Sequence, residues 1–162
     1  MSEQFKHFSV GDFDRFDCVK ISWVYYIVLG FLLRGYVVWL MSVTNFNDRV
    51  GVISWIYPEP KLFYLNLCSG AIGLFVLLLL SLRRPDAANW VQIAWPKARL
   101  FLIVAIVFDI MINAVGYGFW QLTSLMAFSA QTIIGLFLIL LCFISQRMKL
   151  NLAEFPQPMP EK

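Results

Sequence analysis

Four apolar runs, each bounded by a short polar stretch, divide the chain. They lie at Ile21 to Ser42, Leu62 to Leu82, Leu100 to Gly118 and Leu122 to Ser145. About 20 apolar residues at roughly 1.5 Å per residue cross ~30 Å of hydrocarbon, so each run is long enough for one transmembrane helix. The second, with "GLFVLLLLSL", is uninterrupted, whereas the first carries Arg34 in "FLLRGYVV" and the third carries Asp109 in "FLIVAIVFDI". So few residues separate the third run from the fourth that the two read as a helical hairpin. The pattern predicts an all-α membrane protein, a single domain of four transmembrane helices in a compact bundle. Residues 1–20 and 146–162 form its tails.

Composition agrees with this class. Of 162 residues, 60% are hydrophobic and 14% charged, and the mean hydropathy is +0.71, whereas soluble domains are nearer half apolar and a quarter charged. The net charge of +3 invites a nucleic-acid reading, but the basic residues are scattered over the loops rather than gathered on one face. Their distribution orients the helices instead. Lys6, Arg15 and Lys20 precede the first run, Arg83, Arg84, Lys97 and Arg99 lie between the second and third, and Arg147, Lys149 and Lys162 follow the fourth. Only Arg49 and Lys61 occupy the other loops. The positive-inside rule therefore places both termini and the middle loop in the cytoplasm, N-in and C-in. The first twenty residues lack the apolar core and small-residue site of a cleavable signal, so the first span is expected to be retained.

Aromatic side chains mark the edges of the spans. Trp23, Tyr25 and Tyr26 are expected at the inner headgroup level, with Trp39, Trp55, Tyr57, Tyr64, Tyr117 and Trp120 at the outer one. In the middle loop, Pro85 and Asp86 offer a helix start. "DAANWVQIAW" then places Trp90, Ile93 and Ala94 on one face before Pro96, which reads as its stop. This predicts a short interfacial helix on the inner leaflet between helices 2 and 3. The outer loop "NFNDRVGVISWIYPEPK" reads as a segment dipping into the outer interface. Cys18, Cys68 and Cys142 lie at different depths, and no pair among them is expected to be bridged.

Candidate chemistry is sparse. Asp12, Asp14 and Asp17 lack the glycine and closing glutamate of a calcium loop, and His7 is the sole histidine. No metal site, cofactor or Ser/His/Asp set is expected, and the chain does not read as an enzyme. The polar residues inside the spans are more informative. Ala105, Asp109, Asn113 and Gly116 form one stripe on the third helix; Asn66, Gly70 and Gly73 form one on the second; Ser124, Gln131, Gly135, Cys142 and Ser145 fall near one on the fourth. Arg34 lies roughly 20 Å from the inner end of its helix and Asp109 roughly 14 Å from the inner end of its own, within combined side-chain reach. An isolated charge at such depth costs on the order of 3 kcal/mol, so the two are expected to pair. Asn113, Asn66 and Gln131 complete the candidate intramembrane polar cluster.

These residues resemble a family. "DFDRFDCVK", "FLLRGYVVWL", "YPEPKLFYLNLCSGAIGLFVLLLLSLRRPD" and "FLIVAIVFDI" are similar to segments of the small bacterial inner-membrane proteins grouped as domain of unknown function 2919, the YfeZ-like proteins. The resemblance implies a multi-pass protein of the bacterial inner membrane and brings no established activity. Two readings follow. One is a non-enzymatic accessory or assembly component that meets a membrane-protein partner or a second copy of itself within the lipid bilayer. The other is a small oligomeric transporter or channel using Arg34 and Asp109.

Overall fold

The computed structural model describes residues 10–13, 18–45, 49–57, 59–118 and 124–157. His7, Asp14, Asp17 and Trp120 lie outside them. Among the described residues all extended regular structure is helical.

Helix α1 (Trp23–Leu32) starts where the hydroxyl of Ser22 accepts from the Val24 backbone N–H, a standard N-cap. At Leu33 the helix breaks, and α2 (Arg34–Thr44) leaves at 63° to α1. This corrects the expectation of an unbroken first helix over residues 21–42. The run holds no proline, and Gly30 and Gly35 on either side of the break weaken the helix locally, so the bend takes its direction from the surroundings. The guanidinium of Arg34 inserts beside the last turn of α1, and the facing helix carries glycines that admit a close approach.

The loop after α2 folds into α3 (Arg49–Ile56), which packs on α2. Helix α4 (Pro60–Ser81) opens with a proline in its first turn, where the absent N–H is no loss. It buries Leu62, Phe63, Asn66, Ser69, Gly70, Gly73, Val76 and Leu79, one narrow face at helical spacing. α5 (Asn89–Ala94) passes through a 3-10 turn at Trp95–Lys97 into α6 (Ala98–Gly118). Pro96, expected as a stop, is instead tolerated in the first residues of that turn, and the chain stays helical through the joint. The helix begins at Asn89, later than Asp86, and Trp90 and Ile93 are exposed on it as the pattern required. α7 (Leu125–Ile144) runs back along α6, and α8 (Gln146–Ala153) follows after Ser145. α4, the continuous helical run Asn89–Gly118 that joins α5 to α6, and α7 are each long and apolar enough to cross a membrane, and the bent α1–α2 pair makes a fourth if counted as one span.

The larger apolar core lies at the end where α1 begins, hereafter the termini end. Tyr25, Leu29, Leu32, Val76, Leu79, Trp95, Leu102, Ile106, Leu138 and Met148 are buried there. Tyr25 is thus not a headgroup anchor. Its ring stacks on Trp95 at 6.0 Å between centroids and is fully buried. A smaller cluster of Val38, Tyr57, Leu62 and Phe63 closes the opposite end.

At the termini end, the two segments read as tails are tied to each other. Asn151 of α8 is fully buried. Its Oδ1 accepts from the Ser22 N–H at 2.8 Å, its Nδ2 donates to the carbonyls of Val19 (2.7 Å) and Lys20 (3.2 Å), and its own carbonyl accepts from Trp95 Nε1 at 2.7 Å. Glu154 accepts from the Val19 N–H at 2.9 Å, and Arg147 meets Asp12 at 2.7 Å. One buried amide therefore satisfies backbone groups of the segment that leads into α1.

Close packing of α1–α2 on α4 depends on Gly70. A Cβ there would stand 2.8 Å from the Tyr36 ring and 2.9 Å from the Leu32 carbonyl oxygen, a backbone atom that has little freedom to move. At Gly30 a Cβ would meet nothing within 4 Å. Gly70→Ala is expected to destabilise the protein by about 1–3 kcal/mol through overpacking. Gly30→Ala should be neutral or slightly stabilising through helix propensity. Thermal unfolding of the two variants in detergent checks the contrast.

Candidate functional site

The break at Leu33 places Arg34 at the junction of the two apolar cores. Its Nη2 donates to both carboxylate oxygens of Asp109, each at 3.0 Å. This end-on contact uses one nitrogen, unlike the parallel fork common in arginine–carboxylate pairs. The other terminal nitrogen, Nη1, is left to donate to the Phe31 carbonyl at 2.9 Å, and the guanidinium lies over the Phe31 ring at 4.5 Å. Phe31 is in the last turn of α1, where carbonyls lose their helical partners and the helix dipole is negative. Arg34 thus bridges two separate deficits, a buried anion on α6 and the open end of α1.

Asp109 is 1% exposed. Beyond Arg34, it lies 2.9 Å from the hydroxyl of Ser69 on α4 and 3.4 Å from Nδ2 of Asn113, which also donates to the Asp109 backbone carbonyl at 2.8 Å. The Ser69 oxygen also lies 3.0 Å from the Asn66 carbonyl, and its single proton serves one acceptor at a time. The carboxylate is therefore held from α2, α4 and α6 together. On the side away from the termini it is covered by the cluster containing Tyr57, whose phenol is pushed up from its ordinary pKa by burial while the Arg34 guanidinium pulls it down.

Arg34, Asp109 and Asn113 are thus brought together. Asn66 is buried in the same layer with its Cβ against Gly35, but its amide donates only a long bond to the Leu62 carbonyl, at 3.5 Å, and its Oδ1 has no partner among the described residues. Gln131 on α7 is half-buried and makes no hydrogen bond to the pair; its Oε1 is likewise unpartnered, as is Nε of Arg34. Ser69 and Tyr57 were missing from the sequence-derived cluster. Ser69 was within reach of that reading, because it lies three residues from Asn66 and four from Gly73 on the buried face of α4. Tyr57 carried no such signal, since only the fold of α3 turns it inward. Among the described residues no three His, Cys, Asp or Glu side chains are grouped to hold a metal ion.

The family model for DUF2919, described as a protein of unknown function, matches residues 8–154. The chain belongs to this family. Its matched region takes in every helix from α1 to α8, including Arg34 and Asp109. No curated protein and no solved structure matches the chain.

Removal of one member of the pair leaves the other with its hydrogen bonds to Phe31, or to Ser69 and Asn113, but without its ion-pair partner. Arg34→Leu or Asp109→Leu is each expected to cost about 3 kcal/mol and to lower the folded yield. The double variant should recover at least about 1 kcal/mol relative to the sum of the singles. A double-mutant cycle by denaturant titration in detergent measures this, and strict additivity would show that the contact carries no coupling.

Proposed function

We propose that this member of the DUF2919 family is a non-enzymatic accessory or assembly component of a complex in the bacterial inner membrane. In this reading the bent α1–α2 pair counts as one span, the chain crosses four times, and both termini face the cytoplasm with most of its Lys and Arg. The observation that carries it is the bonding of Asp109. Its carboxylate is held by Arg34 and Ser69 and closed off by apolar layers on both sides, an arrangement suited to fixing helices rather than passing a solute. The partner surface in this reading is α7, the least covered of the long helices, with Ile133, Phe137 and Leu140 exposed along it.

A second reading, a small oligomeric transporter or channel, draws on a different observation. A helix break beside an intramembrane charge is a feature of transporter binding sites, and Arg34 retains 22% side-chain exposure. The two diverge in water access. The accessory reading expects a stoichiometric membrane-protein partner on affinity purification in mild detergent, cross-links to it from a photoreactive residue at Phe137, and no reaction of Asn113→Cys with an impermeant maleimide in a Cys68→Ser background. Rapid labelling at position 113 without a partner would transfer the assignment to the transporter reading.

A further inference from the structure

The turn between α4 and α5 encloses a cleft of about 310 Å³ lined by Leu82, Arg84, Asp86, Ala87, Ala88, Trp90 and Val91. Of its charged residues, one is a cation and one an anion. Arg84 and Asp86 are both exposed, and neither side chain has a hydrogen bond or ion pair within the described chain. The neighbouring Arg83 differs, donating to the Glu154 carbonyl at 3.1 Å and lying 4.9 Å from the Trp95 ring centre. Arg84 and Asp86 thus offer a donor fork and a carboxylate to the same small volume, with hydrophobic walls behind them.

The cleft does not stand alone on the surface. Leu82, Leu78 and Phe75 follow one another at spacings of four and three on α4, all exposed, and so run down one face away from the cleft. Phe75 stacks with Trp90 at 6.5 Å, which joins this apolar track to the wall of the cleft. Trp90 and Ile93 stand exposed on α5 beside it. A charged recess at the end of a long apolar helix, with a hydrocarbon-compatible groove descending from it, has the shape of a lipid site.

We propose that this cleft binds a phospholipid whose headgroup is zwitterionic and ends in a primary ammonium, the phosphoethanolamine type. Arg84 holds the phosphate through its guanidinium fork. Asp86 accepts hydrogen bonds from the ammonium, and Trp90 fixes the glycerol level while one acyl chain follows Leu82, Leu78 and Phe75. A purely anionic lipid would meet Arg84 but be opposed by Asp86. A choline headgroup would meet both charges but has no N–H to donate to the carboxylate. The site rests on the membrane reading of α4 and α6 and is independent of whether α7 docks a partner.

Native mass spectrometry of the purified, delipidated chain with added phosphatidylethanolamine, phosphatidylglycerol or phosphatidylcholine tests it. Phosphatidylethanolamine should be retained about fivefold better than either other lipid, the size of one exposed charge contact. Asp86→Asn should remove that preference and raise phosphatidylglycerol retention, while Arg84→Gln should weaken all three lipids. Both side chains are exposed, so the variants should fold normally, and Phe75→Ala supplies a second arm by shortening the acyl track without altering charge. It should weaken retention of every lipid equally. Equal retention of all three lipids, preference for phosphatidylglycerol, or an Asp86→Asn variant that keeps the wild-type preference would each overturn the proposal. Because retention is read on the isolated chain, its failure leaves the co-purification result standing, and the absence of a partner leaves the lipid result standing.

Discussion

A carboxylate enclosed by apolar helices must be held from several directions, and the middle of this bundle is organised by that requirement. Asp109 draws one donor from α2, one from α4 and one from its own helix. Those bonds converge at a single depth, so the helices that supply them cannot slide independently. The same requirement explains the bend in the first span. A straight helix would leave Arg34 without a second acceptor, whereas the break offers the Phe31 carbonyl to the nitrogen that the carboxylate does not use. Two unfavourable features, an interrupted helix and a partly desolvated cation, each reduce the cost of the other.

The glycines of α4 belong to the same arrangement. Gly70 and Gly73 face Leu32 and Leu33, the residues at the break, and Gly35 faces Asn66. Side chains at those positions would hold α1–α2 away from α4 and lengthen the reach required of Arg34. Without a hydrophobic driving force between helices in lipid, such close approach is what makes dispersion and buried polar contacts effective.

Much of this was legible in the chain. The stripe Ala105, Asp109, Asn113 and Gly116 turned out buried throughout, because helical spacing alone decides which residues share a face. Depth arithmetic brought Arg34 to Asp109 because rise per residue is nearly constant. What the sequence could not disclose was anything set by contacts distant along the chain. Tyr25 looks like an interfacial ring until Trp95, some seventy positions later, covers it. Leu33 sits in a run without proline, and although Gly30, Arg34 and Gly35 weaken it as a span, none of them alone dictates a bend. Asn151 is one polar residue in a short amphipathic segment, and its role exists only once residues 19–22 lie beside it.

The position of Asn151 also bears on the order in which the molecule can be completed. The backbone groups it satisfies belong to residues 19–22, which are made well before Asn151. α1 and α2 can form as soon as they leave the ribosome, yet the start of α1 is fastened only after α8 has been synthesised. Until then the backbone groups of residues 19–22 lack the partner they have in the folded chain. The fastening of the first helix thus depends on a residue made 129 positions after Ser22, its N-cap.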